Sequence, residues 1–312
     1  MNPTLDIIIV NWNAGDYLFE CISSIKNVYH SSYILKSIVI VDNASQDGSL
    51  QKIENLDLPI KIIKNSENIG FSRACKIGAK PSTSDYLLFL NPDTRLFENS
   101  LHLPIDFMQR SENNQVGIVG VMLIDEMNNV SRNCARFPTA LSFINISIGL
   151  DRIFPKLFPG HFMKEWDHLD SRYVDQIMGA YVLIRRSLYE RLNGHDERFF
   201  VYYEDLDLSF RAHKLGYKEY YLAEAKVYHK GGGTSENVKA TRLFYILHSK
   251  LLYCQKHFSK ISFIIVLFFT IAVEPFTRII GAVLKNSYSD IAEILIGYKK
   301  LISKLINKSG KY

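Results

Sequence analysis

The sequence predicts an α/β protein built on a mostly parallel sheet, and two observations carry this. Short β-branched or apolar runs at 5–10, 36–41, 60–63 and 86–90 alternate with helix-like segments, the pattern of βαβ units. Each run is followed by polar, turn-forming residues, so the early strands end in polar groups on one rim of the sheet. With 312 residues, 47% of them hydrophobic and 22% charged, the chain can build one large domain and an appendage.

The run 5–10 is the first strand. Residues 16–27 place Leu18, Cys21, Ile22 and Ile25 on one face, as an amphipathic helix requires. Strands at 36–41 and 60–63 come next, with helical patterns near 47–56 and 71–79. Residues 86–90 have the length and composition of a buried strand, and Pro92 must stop it because proline cannot continue a ladder. A further strand is expected at 116–123. The rhythm then fails over 125–175, where Pro138, Pro155, Pro159, Trp166 and other aromatics read as loops and short elements over one face of the sheet, the place for a second substrate. Order returns with the apolar run 176–184, the segment 199–203, and a helix from about 205 to 215 stopped by Gly216. The expected division is a sheet domain at 1–236 and a basic helical tail at 237–312.

The tail opens with a helical pattern at 238–257. Residues 261–273 are apolar except for Ser262 and Thr270. Thirteen residues are too few to span a bilayer, and Glu274, Pro275 and Arg278 interrupt the apolar residues after them, so an interfacial or re-entrant element is expected. Beyond 288, Ile291, Leu295, Tyr298, Ile302 and Leu305 recur at helical spacing, with Lys299, Lys300, Lys304 and Lys308 mostly off that stripe. That pattern suits a helix lying in a membrane surface; the alternative is a helix packed on the protein itself or on a second subunit. Charge is divided in the same sense. Residues 239–312 hold 12 Lys and Arg against 3 Asp and Glu, whereas 1–238 hold 25 against 29. The acidic body argues against nucleic-acid binding, and the basic tail suits an anionic phospholipid surface. Cys21, Cys75, Cys134 and Cys254 lack metal-ligand spacing and suggest no disulfide framework, which fits a reducing compartment. No basic and apolar leader precedes the first strand, so a cytoplasmic body is expected.

Several rim residues carry chemistry. Asp93 follows the fourth strand, at the sheet edge where ligands bind, and a carboxylate there suits a divalent cation bridging to phosphate oxygens. A helix-capping turn is the plainer alternative. Asp42 ends the second strand and can hydrogen-bond a nucleobase or ribose, while Asn43, Ser45, Asp47 and Gly48 after it are turn and N-cap types. Val10-Asn11 after the first strand, and Asn65, Asn68 and Gly70-Phe71 after the third, lie at the same edge. Gly179-Ala180 interrupts an apolar run, which permits either close approach of a ligand or a packing contact. Glu204, Asp205 and Asp207 open a helix, where the dipole favours acids. Three carboxylates in four residues also suit a general base, because burial and like charge raise a carboxyl pKa toward working pH. His229 precedes Gly231-Gly232-Gly233-Thr234-Ser235 and is a candidate for a metal or a diphosphate, although a lone histidine is more often structural.

Taken in order, Val10-Asn11, Asp42, Asn68-Ile69-Gly70-Phe71, Asn91-Pro92-Asp93, Gly179-Ala180, Glu204-Asp205 and His229 resemble family 2 glycosyltransferases of the GT-A fold. Among these they are most similar to bacterial rhamnosyltransferases of cell-surface polysaccharide assembly. The resemblance covers residues 4–235. It implies a Rossmann-like, mostly parallel sheet flanked by helices, to which the basic amphipathic pattern beyond 237 adds a C-terminal helical membrane-associating extension. It further implies an inverting transfer, with rhamnose from dTDP-rhamnose as the expected donor. The acceptor implied is a hydroxyl of a lipid-linked glycan for O-antigen, capsule or cell wall. Asp205 is then the base, with Glu204 beside it. Val10, Asn11, Asp42, Asn43, Asn68, Gly70, Phe71, Asn91, Asp93, Gly179 and Ala180 form the donor site, and Asp93 and His229 hold magnesium or manganese. The implied location is the cytoplasm, peripheral on the inner face of a bacterial cell membrane.

Two positions depart from the family pattern. Asn91 stands where many relatives carry the first acid of Asp-X-Asp, and Ser72-Arg73-Ala74-Cys75-Lys76 replaces small residues and an Asn pair. The alternatives are a UDP-hexose donor or a nucleotide-sugar-binding protein without catalysis. A nicotinamide dehydrogenase is disfavoured, since no Gly-X-Gly-X-X-Gly joins a strand to a helix.

Overall fold

The computed structural model describes residues 2–28, 31–54, 56–231 and 238–309. Gly232, Gly233, Thr234 and Ser235, singled out above, lie outside the described residues, as does the side chain of Lys308. The strands are β1 (Thr4–Asn11), β2 (Ile34–Asp42), β3 (Ile60–Lys64), β4 (Tyr86–Leu90), β5 (Thr94–Leu96), β6 (Val116–Ile124), β7 (Val130–Ser131), β8 (Cys134–Ala135), β9 (Arg172–Val174), β10 (Gln176–Ile177), β11 (Tyr181–Arg185) and β12 (Lys218–His229). The helices are α1 (Asp16–Asn27), α2 (Phe71–Ala79), α3 (His102–Gln109), α4 (Ala140–Ile148), α5 (Leu150–Ile153), α6 (Arg186–Arg191), α7 (Glu204–Lys214), α8 (Lys239–His257), α9 (Lys260–Phe268), α10 (Glu274–Leu284) and α11 (Tyr288–Ser309).

Two compact units are present. The first holds Met1–Phe137, Phe162–Phe200 and Glu204–Thr234. Its main sheet runs β3-β2-β1-β4-β11-β6-β12-β5. Strands β3, β2, β1 and β4 are parallel. Strand β11 runs against both β4 and β6, and β12 runs with β6. The carboxyl ends of β1, β2, β3, β4, β6 and β12 therefore share one rim with the amino end of β11, a mostly parallel α/β sheet as expected. Alternating side chains feed two cores. Ile7, Ile9, Ile40 and Leu88 pack with Leu18 and Ile22 of α1. Ile8, Val39, Val41, Leu87 and Phe89 pack with Ala74 and Cys75 of α2 on the other face. Burial on both faces explains why these strands read as unbroken apolar runs.

Several local differences have physical causes. Near 47–56 only a 3-10 turn at Gln51–Ile53 forms, because Gly48 takes a left-handed φ of 74° and Asp47 accepts from the Ser49 N–H in a tight turn. The run 176–184 divides into β10 and β11 at Met178–Ala180, where the Ala180 N–H donates to Met178 O. Residues 199–203 form no strand, since Tyr202 and Tyr203 hold φ of 66° and 67°. Strand β12, twelve residues long, has no counterpart in the sequence-based elements.

The second unit holds Pro138–His161, Val201–Tyr203 and the described residues from 238 on. Residues 138–161, expected as loops and short elements, form α4 and α5 and fold with the C-terminal helices. Thr139 caps α4 by a reciprocal box, accepting from Ser142 N at 3.1 Å while Ser142 Oγ accepts from Thr139 N at 2.9 Å. Gly149, at φ 82°, ends the helix. The apolar run beyond 260 does not stop at 273. Lys260–Leu284 is continuous over 25 residues, long and apolar enough to cross a membrane by length and composition. A π turn at Phe269–Val273 stands just before Pro275, where the ladder lacks an N–H, and the helix continues through it. The charge expected to interrupt it is paired. Glu274 Oε2 accepts from Lys250 Nζ at 2.6 Å and Ser147 Oγ at 3.2 Å, and Oε1 accepts from Arg278 Nη2 at 2.7 Å. The stripe on α11 is shared out: Tyr298 and Leu305 pack with Leu247 and Leu251 of α8, whereas Leu295 and Ile302 stay exposed.

Helix α2 is seated through Gly78, where an added Cβ would stand 2.7 Å from Ile8 Cγ2 and 2.9 Å from Val41 Cγ2. Gly78→Val is expected to destabilise the protein by about 1–3 kcal/mol through overpacking, read as a lower urea midpoint. An unchanged midpoint would contradict this seating.

Candidate active site

The parallel register sets Asn11 of β1 opposite Asp42 of β2. Both are buried, and Asn11 Nδ2 donates to Asp42 Oδ1 at 2.7 Å, with Ser49 Oγ at 2.9 Å and Ser45 Oγ at 3.1 Å. Asp42 Oδ2 accepts the Ser45 N–H at 3.1 Å, so a buried carboxylate is met on both oxygens. Val10 beside it is core. Asn43 extends the network to the third strand end. Its N–H donates to Asn11 O at 2.8 Å, its Oδ1 accepts from Asn65 Nδ2 at 2.9 Å, and its Nδ2 donates to Asn68 Oδ1 and Gly70 O, each at 3.3 Å. Asn68 Oδ1 also accepts the Gly70 N–H at 3.0 Å. Gly70 must be glycine: its φ is 87°, and a Cβ would lie 2.6 Å from Phe200 O. Phe71, which opens α2, donates its N–H to that same Phe200 O.

The fourth strand end is closed from two sides. Asn91 N donates to Ala180 O at 3.0 Å, binding the end of β4 to the start of β11. Thr94 Oγ1 donates to Asn91 O at 2.7 Å, turning the chain through Pro92 and Asp93. Strand β5 then pairs with the end of β12, His229 opposite Thr94, and Lys230 N donates to Asp93 O at 3.1 Å. Asp93 Oδ1 and His229 Nε2 meet at 3.4 Å, both largely shielded. Magnesium-type cations take one or two protein donors and fill the remaining positions with water and substrate phosphates. A carboxylate oxygen and an imidazole nitrogen facing each other on the rim fit that demand. Among the described residues no group of three or more His, Cys, Asp and Glu could hold a metal by itself, so the fit is to a site completed by a diphosphate.

The acidic helix start separates into distinct environments. Asp207 is fully buried and bound by Arg211 Nε at 2.7 Å. Asp205 accepts the Leu206 N–H at 2.7 Å and the Gly179 N–H at 3.1 Å, and the Gln176 side chain also bonds it. Glu204 is buried with Oε2 unpartnered. Burial pushes both Glu204 and Asp205 upward; the Asp205 charge raises Glu204 further, while donated hydrogen bonds restrain Asp205. The two carboxyls therefore differ in environment: Glu204 is pushed upward by burial and by its neighbour, whereas donated hydrogen bonds hold Asp205 back. A methyl on Gly179 would make ordinary contact at 3.7 Å from Asp205 Oδ2, so its contribution is its N–H. Gly179, Asp205 and Phe71 line one small cavity with His195. Burial, with Arg211 nearby, pushes His195 down to about 3, so it is a neutral core residue bonded to Tyr189. The two left-handed tyrosines just before Glu204 each hold a strained backbone, of order 1–3 kcal/mol, as functional sites often do.

Residues 6–192 match the family model described as Glycosyl transferase family 2. The chain belongs to this family. Among its glycosyltransferase relatives, the N-acetylglucosaminyl-diphospho-decaprenol L-rhamnosyltransferase of Mycobacterium tuberculosis is 24% identical over 245 residues, which span 73% of this chain and 76% of that protein. Rhamnosyltransferase WbbL of Escherichia coli K12 is 29% identical over 146 residues, 46% of this chain and 51% of its own. Two solved structures share the fold, which is GT-A. The mannosyltransferase PcManGT from Pyrobaculum calidifontis, in complex with GDP-Man and Mn2+, superposes with a TM-score of 0.59 at 14% identity, over 97% of this chain and 88% of that one. S. aureus TarS 1–349 in complex with UDP-GlcNAc gives 0.54 at 15% identity, over 95% and 79%.

One residue of this glycosyltransferase that bears on Asp205 escaped the sequence motifs. Glu219 of β12 is buried and accepts the Ile177 N–H at 3.0 Å, while its Oε1 has no hydrogen-bond partner. It anchors β10, whose Gln176 bonds Asp205. Only its place in an apolar, alternating strand could have flagged it. Burial raises Glu219 from an ordinary 4.5 to about 8. Unfolded chains ionise this carboxyl from about pH 4.5 while the native state keeps its proton, so its contribution to stability falls between pH 4.5 and about 8. Glu219→Gln should remove that decline and gain on the order of 1–3 kcal/mol over wild type on going from pH 5 to pH 8. Parallel stability curves for the two proteins would refute it.

Proposed function

We propose that this glycosyltransferase moves rhamnose from dTDP-rhamnose to a hydroxyl of a lipid-linked glycan, with inversion at C1, in the synthesis of a cell-surface polysaccharide. One observation carries the mechanism: Asp205 is a half-buried carboxylate aimed by two backbone N–H groups, beside the buried carboxyl of Glu204, which burial and the Asp205 charge push upward. In this reading Asp205 accepts the acceptor hydroxyl proton as that oxygen bonds C1 and the C1–diphosphate bond breaks on the opposite face. Asn11 and Asp42 form the nucleoside end, with the network from Asn43 through Asn68 to Gly70 and Phe71. Asn91, Gly179 and Ala180 border the sugar. Asp93 and His229 hold magnesium or manganese, which when bound supplies positive charge to the leaving diphosphate. The donor and the acceptor class are supported by the names of the two rhamnosyltransferase relatives, one of them acting on a diphospho-decaprenol.

The place of work follows from composition. The C-terminal helices carry the basic excess and leave Leu295, Ile302 and Ile306 of α11 exposed, which suits a peripheral position on the anionic inner face of a bacterial membrane.

Asp205→Asn should lower kcat by about 10²–10⁴ while the donor Kd, measured by calorimetry, stays within about twofold. Loss of binding and turnover together would remove the base role. Asp93→Ala should abolish the gain in dTDP affinity that manganese gives the wild type. Binding that ignores both the substitution and a chelator would exclude Asp93 as a ligand.

A further inference from the structure

The second unit exposes more apolar surface than its C-terminal helices account for. Ile153, Phe154 and Leu157, in and just after α5, are 65%, 51% and 74% exposed, and Arg152 and Lys156 are interleaved with them. The acid of the stretch, Asp151, is turned inward with Oδ1 buried. This stretch is tied to α10 of the same unit. Thr277 Oγ1 donates to Ser147 O at 2.8 Å, Ser147 Oγ donates to Glu274 Oε2 at 3.2 Å, and Arg152 Nη1 lies 3.5 Å from where a Cβ would stand on Gly281. Around Gly281, Ile280, Val283 and Leu284 are exposed as well, and Lys285 follows. Two segments more than a hundred residues apart thus meet at Arg152 and Gly281, and each carries exposed apolar side chains bordered by cations.

Several large apolar side chains exposed within one short stretch mark an interaction surface. Charge selects the partner. The segments of this unit together hold 14 Lys and Arg against 5 Asp and Glu, and one of the five, Glu274, is buried and already paired. Phe, Leu and Ile tips ringed by Lys and Arg complement a bilayer interface of anionic phospholipid: the tips enter the acyl boundary and the cations stay among the headgroups.

We propose that the stretch 150–158, with the end of α10, is a second membrane-contacting element that inserts Ile153, Phe154 and Leu157 into a bilayer of anionic phospholipids. It rests on the reading that this unit meets a membrane, and it reassigns residues expected to cover a second substrate. Two elements far apart in the chain then hold the protein on the lipid, and two weak contacts on one rigid support bind far more tightly than either alone.

The test uses the full chain and sedimentation with phosphatidylcholine vesicles, with and without phosphatidylglycerol. Wild type should bind the phosphatidylglycerol vesicles. Phe154→Ser with Leu157→Ser should weaken that binding by about tenfold or more, the loss of two apolar anchors, at unchanged melting temperature. Phe97→Ser, an exposed site in the first unit, should bind as wild type. In a separate Phe154→Trp variant, the emission added over wild type should shift to the blue with phosphatidylglycerol vesicles and not with phosphatidylcholine alone. Undiminished binding by the double variant, or unmoved emission from the Phe154→Trp variant once it is vesicle-bound, overturns the proposal and leaves the C-terminal helices as the contact. Equal binding to both vesicle types overturns the anionic partner. Wild type that binds neither removes the membrane reading and the proposal with it.

Discussion

A buried hydrogen bond between Asn11 and Asp42 holds the rim on which the rest of the site stands. Ionised carboxylates are costly to bury unless each oxygen is met. Asp42 is met by Asn11 on one oxygen and by the Ser45 N–H on the other, and this is possible only because parallel pairing sets the two strand ends level. Asn43 then passes the same constraint to Asn65, Asn68 and Gly70. These strand ends are locked together by side-chain amides rather than left to loop conformation. Under the function proposed here the rim gains preorganisation from this, since its polar groups are fixed before any ligand arrives.

Four carboxylates near the start of α7 show how environment, rather than residue type, assigns roles. Asp207 is neutralised by Arg211, and Glu204 and Glu219 are pressed toward their protonated forms by burial. Asp205 alone collects several donated hydrogen bonds at the rim without a cationic partner. Burial thus bears on Glu204 and Glu219 by raising them, on Asp207 through an ion pair, and on Asp205 against donated hydrogen bonds that restrain the rise.

In the second unit the corresponding feature is Glu274. Lys250 and Arg278 pair with it at 2.6 and 2.7 Å, and Ser147 adds a bond from α4. Breaking such a buried network is costly, whereas its net contribution to stability is small. Its role is register: it fixes α8, α10 and α4 to one another, and so bears on which apolar face of α10 remains outside.

Local chemistry determined a good deal from sequence alone. Apolar runs placed β1, β2 and β4, because strands buried on both faces must be largely apolar, while the edge strand β3 showed only through its isoleucines; Pro92 marked where β4 stops. Strand ends in an α/β sheet face one edge, so Asn11, Asp42 and Asp93 could be assigned to a common rim before any coordinates. Features that depend on distant partners could not be read in this way. Glu219 looks like one polar residue in an alternating strand, and only packing against Ile177 and Ser209 shows that it is buried and protonated. Pro275 and Glu274 looked like the end of a helix, yet Lys250, 24 residues earlier, supplies the charge that lets it continue. Residues 138–161 looked like loops because their helix is short, and their place with the C-terminal helices rests on bonds from Ser147 to residues more than a hundred positions away. Periodicity and turn chemistry are properties of neighbours along the chain; burial, pairing and protonation are properties of neighbours in space, and only the tertiary structure decides those.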